Sequence, residues 1–115
     1  MLRIPFQFDQ SDGFVTVKGT VELRGQDLVI ETSRVFLQIV PYRQETFRIP
    51  ADEIESIEVD PGLLKHRLVV RPFSAEWLDG FPGDPSDEIS IPIARTHRDK
   101  AEALVREARL RNLPR

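Results

Sequence analysis

Residues 88–110 read EISIPIARTHRDKAEALVREARL, and this stretch decides the architecture. Ile89, Ile91 and Ile93 alternate with Ser90 and Pro92, the period-two pattern of a strand. Pro92 has no amide donor, which suits an edge position. The period then changes. Ala101, Leu104, Val105 and Ala108 recur at i, i+3, i+4 and i+7, one apolar stripe on a helix. Thr96 with Asp99 three residues later resembles a capping box, so the spacing predicts Thr96 as N-cap and a helix over 96–111. One helix after a series of strands implies a sheet or bent barrel closed by that helix, a mainly β fold.

Working backwards, the chain from Phe14 to Ile93 reads as seven short antiparallel strands. Val15, Val17, Val21 and Leu23 share one face, with Gly19 in phase between them as the point where the strand must curl. Arg24-Gly25-Gln26-Asp27 is a tight turn, and Leu28 to Thr32 returns from it. Val35 to Val40 is apolar on both faces except for Gln38 and reads as its own strand. Pro41 to Glu45 reads as a loop, and Phe47 with Ile49 as a short strand. Pro50 to Glu53 reads as a single turn. The apolar phase of Ile54, Ile57 and Val59 breaks near Ser56, which predicts a bulge. Leu68 and Val70 mark the next strand. Ahead of these, Leu2, Ile4, Phe6 and Phe8 alternate with Pro5 among them, an edge strand or arm within residues 1–12, followed by a turn at Gln10 to Gly13.

The 115 residues are read as a single domain, 1–115. Hydrophobic residues make up 40% and charged residues 30%, the balance of an ordinary folded domain. The absence of cysteine excludes disulfides, thiolate metal sites and cysteine nucleophiles. No basic-then-apolar leader and no membrane-length apolar run appear, so the expected location is cytoplasmic with no transmembrane segment. The net charge of −3 is uneven. Residues 1–93 carry 9 basic and 16 acidic residues, giving −7, and residues 94–115 carry 7 and 3, giving +4. Arg106, Arg109 and Arg111 complement the negative end of the helix dipole, so the basic tail is read as structural and nucleic acid is not an expected partner.

Three pieces carry a resemblance: GTVELRGQDLVIET (19–32), FRIPADEIESIEV (47–59) and the ending quoted above. Together they resemble the pleckstrin-homology-like superfamily, in particular its small bacterial members of unassigned function. The resemblance covers residues 14–111 and implies a bent antiparallel half-barrel plugged by the C-terminal helix. It also implies a scaffold or self-assembling module. Phosphoinositide-binding members cluster Lys and Arg around the first hairpin loop. Arg24 to Asp27 offers one arginine beside an aspartate, so phosphoinositide binding is not expected.

No catalytic, cofactor-binding or metal residues are assigned, and no cofactor is expected. His66 and His97 have no ligand spacing. Asp79, Asp84, Asp87 and Glu88 do not follow a calcium-loop pattern and read as solvated turn acids. Glu53 with Glu55, and Glu58 with Asp60, fall on one strand face without a catalytic partner. The segment Pro72 to Asp87 stands apart, being long and irregular with isolated aromatics. Phe73, Trp77, Leu78 and Phe81 are the candidate interface, and folding back as a core lid is the alternative role for Trp77. The expected function is a non-enzymatic interaction or scaffold module that binds a protein partner or itself as a homo-oligomer. A lipid-surface or small-ligand binder and a small barrel enzyme with a pocket near Trp77 are the alternatives.

Overall fold

A computed structural model describes residues 2–10, 13–62, 65–82 and 85–112; Ser11, Asp12 and Asp84 lie outside the described residues. Seven strands form two antiparallel sheets, followed by one C-terminal helix. The first sheet has the order β1 (Arg3–Gln10), β2 (Val15–Arg24), β3 (Asp27–Phe36) and β4 (Val40–Pro50). The second has the order β5 (Ile54–Pro61), β6 (His66–Pro72) and β7 (Ile89–Ile93). Each pairing joins strands consecutive in the chain, and β4 and β5 alone among consecutive strands fall in different sheets. No barrel closes: the proline-bearing strands β1 and β7 are edges, where a missing amide costs least.

The inner face of the first sheet is built by alternation. Val17, Val21 and Leu23 of β2, Leu28 and Ile30 of β3, and Phe47 and Ile49 of β4 enter the common core. Gly19 falls in that row, opposite Phe6 of β1. A Cβ there would collide with the Glu31 carbonyl oxygen and lie 2.6 Å from Phe6 Cζ. The glycine thus lets two strands and an aromatic ring converge at the bend, the ring filling the space a side chain would take.

Two regions depart from the sequence reading. Val35 to Val40 is not a separate strand. Val35 and Phe36 finish β3, residues 37–39 turn, and Val40 begins β4, which also contains the Pro41–Glu45 stretch read as a loop. The Ile39 amide donates to the Phe36 carbonyl at 3.1 Å, and the central residues Leu37 and Gln38 have φ of 52° and 60°. Such turns normally announce themselves with Asn or Gly, and Leu37-Gln38 has neither. The seven strands therefore comprise β1 and six more, not seven after Phe14.

The second departure is Thr96. A 3-10 turn over Arg95–His97 precedes the helix α1 (Arg98–Asn112), with the His97 amide on the Ala94 carbonyl at 2.9 Å. Thr96 lies exposed inside that turn, so a backbone bond stands where a hydroxyl cap was expected.

The helix itself follows its stripe. Ala101, Leu104, Val105 and Ala108 are buried. They pack chiefly on β5 and on the 3-10 turn Ala51–Glu53 that joins the sheets. Arg109 Nη2 donates to the Ile57 carbonyl at 2.9 Å, and Asn112 Nδ2 to the Ile54 carbonyl at 2.6 Å. Helix side chains thereby satisfy backbone acceptors of β5, an edge strand. The expected irregularity beside Ser56 is present in the β5–β6 register.

Candidate interaction surface

The segment after Pro72 is less irregular than its composition suggests. The Ser74 hydroxyl accepts the Glu76 amide at 3.4 Å and starts a 3-10 turn over Ala75–Leu78. Gly80 then reverses the chain at φ 82°. This turn puts Leu78 and Phe81 into the core, and the Phe81 ring meets Phe47 at 5.1 Å. Trp77 is half-buried against the same core. Phe73 is exposed, its amide held by the Glu53 carbonyl at 2.9 Å. Of the four aromatic and aliphatic residues singled out from sequence, Leu78 and Phe81 present almost no surface to a partner, because they cover the sheet beneath them.

A polar cluster ties this lid to β3 and β4. Arg34 Nη2 donates to the Gly80 carbonyl at 3.2 Å and lies 3.4 Å from Glu45 Oε1, which is also in ion-pair distance of Arg43 Nε at 3.0 Å. Thr32, buried opposite Glu45 in the register, has no hydrogen-bond partner for its hydroxyl among the described residues. The bond from Arg34 to Gly80 is the tie between this cluster and the lid.

Beyond the cluster the β3–β4 hairpin projects with an apolar end. Ile39 is 79% exposed, and Phe14, Phe36, Leu37, Val40 and Tyr42 lie between 44% and 56%. Phe14 belongs to this end because its carbonyl accepts the Leu37 amide at 2.8 Å. No charged residue occurs from Val35 to Tyr42. The sequence reads Val35 to Val40 as a strand of its own, apolar on both faces except for Gln38. The only available sign was that it lacks the alternation of a half-buried strand while sitting next to Pro41.

Comparisons with known protein families, with curated proteins and with solved structures find no match to this chain. What the surface can do rests on its own chemistry. The Arg24 to Asp27 turn joins β2 to β3 and is the second hairpin turn of the sheet, not the first as the sequence suggests; there Arg24 is held by Glu22 and by Glu31, the latter at 2.7 Å. These hydrogen bonds, Glu31 first, push its guanidinium further up from its ordinary value. Glu22 is a buried carboxylate and also pairs with Arg3 at 3.3 Å, so this arginine is committed within the sheet. His66 begins β6 and His97 lies in the 3-10 turn before α1. Among the described residues no three His, Asp or Glu side chains form a group able to hold a metal, and no helix is long and apolar enough to cross a membrane.

Proposed function

We propose that this domain is a non-enzymatic interaction module of pleckstrin-homology-like architecture that pairs with a second copy of itself through the β3–β4 hairpin end. The observation that carries the reading is the exposed, uncharged group of Phe14, Phe36, Leu37, Ile39, Val40 and Tyr42. Side chains of this size, about half exposed, offer on the order of 100 Å² each, or about 600 Å² per copy. Two copies would bury about 1,200 Å², the lower end of a specific interface. An apolar patch of that extent on a monomer marks an interaction site.

The backbone adds support. Leu37 and Gln38 occupy left-handed conformations that cost on the order of 1 kcal/mol or more each in non-glycine residues. Leu37 gains little burial in the monomer to offset that cost. A two-fold pairing places the patch against itself, and an uncharged patch does so without like-charge repulsion. Phosphoinositide recognition is not part of this proposal, since Arg24 is tied to Glu22 and Glu31.

Sedimentation velocity over a concentration series tests the reading. The expected result is a wild-type dimer that Ile39→Asp converts to a monomer with unchanged far-UV circular dichroism, its melting temperature falling only to that of the dissociated wild type. A wild type that stays monomeric at all concentrations, or a dimer that survives Ile39→Asp, refutes it. Vesicle co-sedimentation of a monomeric wild type, lost in Ile39→Asp, would transfer the same end to a lipid surface.

A further inference from the structure

We propose that the seam between the two sheets, where β1 runs beside β7, is a binding site for a small organic phosphate. Two cavities of about 280 and 430 Å³ lie along it and share Gln7, Lys65 and Pro92 in their walls. Together they match the volume of an ordinary small-molecule site. Arg67 and Ser90 line one and His97 the other.

The seam brings two cations without counter-charges, Lys65 and Arg67, to the wall of one cavity. On the four-stranded sheet, Arg3, Arg24, Arg34, Arg43 and Arg48 each pair with a carboxylate. Among the described residues, Lys65 and Arg67 have no carboxylate within ion-pair distance. Arg67 has Asp60 opposite it in the β5–β6 register, yet its Nη1 reaches the other way, to Ser90 Oγ at 3.4 Å. Its guanidinium is thus turned towards the seam. Asp9 is the acidic side chain in the cavity walls, at the end remote from His97, and its carboxylate is engaged by the Thr16 hydroxyl at 3.2 Å.

The proline residues define what can enter. Pro5 on β1 and Pro92 on β7 withhold amide donors from both edges, so an added peptide strand would find a broken ladder. The walls instead offer Pro5, Pro92 and the rim of Phe6 to an apolar body. Lys65 and Arg67, with neutral donors from Gln7 and Ser90, suit a doubly charged group with several acceptor oxygens.

Phenyl phosphate, titrated into the labelled protein and followed by amide chemical shifts, tests the site. Saturable shifts at Gln7, Lys65, Arg67 and Ser90 are expected. Affinity should fall about tenfold for each cation removed in Lys65→Gln and Arg67→Gln, and remain unchanged in Lys18→Gln. Both seam cations are exposed, so the variants retain the fold, which a thermal melt verifies. Vesicles containing phosphatidic acid distinguish the source of the phosphate. Sedimentation with them that phenyl phosphate reverses would assign the site to a lipid headgroup, and its absence assigns it to a soluble ester. No saturable shift, or binding that persists in the double variant, overturns the proposal.

Discussion

Replacing Gly19 by alanine adds one methyl group at the bend of the first sheet, and the cost can be worked from its neighbours. The new Cβ would meet the Glu31 carbonyl oxygen, a backbone atom of the paired strand, at a separation no real Cβ tolerates. It would also lie 2.6 and 2.9 Å from two atoms of the Phe6 ring. Relaxed carbon contacts begin at about 3.5 Å, so the ring must retreat by about 1 Å. Phe6 is itself buried and stacked on Phe8 at 6.1 Å, which leaves little room. Overpacking of this kind costs about 1–3 kcal/mol, and the backbone collision places Gly19→Ala at the upper end or beyond. For a chain of this length about 3 kcal/mol lowers the melting temperature by roughly 10 °C. Urea unfolding with a calorimetric melt measures it. A second variant isolates the causes: Phe6→Leu in the Gly19→Ala background relieves the ring but not the carbonyl, so it should recover only part of the loss. Gly19→Ala within about 0.5 kcal/mol of wild type would refute the close approach.

Three further outcomes follow from the same geometry. Leu104→Ala removes a fully buried side chain from the helix stripe and should cost about 2–5 kcal/mol in chemical unfolding. Thr96→Ala, in contrast, should shift stability by less than about 0.5 kcal/mol, because Thr96 is exposed within the 3-10 turn; a loss above 1 kcal/mol would restore it as a cap. Leu37→Asn with Gln38→Gly should stabilise the monomer by about 1–2 kcal/mol by relaxing the turn, and weaken self-association in sedimentation experiments.

The parts of the fold legible in the sequence are those where one simple pattern acts alone. The helix stripe from Ala101 to Ala108, the valine alternation in β2 and the proline-marked edges each translate directly into burial or pairing. The β3–β4 hairpin was illegible for two reasons. Its turn uses Leu37 and Gln38 in left-handed conformations, so no glycine or asparagine gives the reversal away. Its apolar residues are exposed, so hydrophobicity points to the core when the chain leads outward. The lid was half legible. Its aromatics stand out in the sequence, but Phe81 finds Phe47 only through the 3-10 turn that Ser74 starts. The seam was invisible, because Gln7, Lys65 and Ser90 are far apart in the chain and share a cavity only after both sheets form.

The helix that finishes the core follows all seven strands in chain order. During synthesis each hairpin can zip as soon as its second strand leaves the ribosome, since every pairing is between neighbours. Ala51, Ile54 and Ile57 stay bare for longer, together with the two β5 carbonyls that Arg109 and Asn112 will occupy. For that interval the nascent chain displays a greasy sheet with an open strand border, the form that chaperones hold and proteases cut. A message truncated before Arg98 would freeze the chain in this state. Docking of the fifteen-residue helix is what ends this exposure.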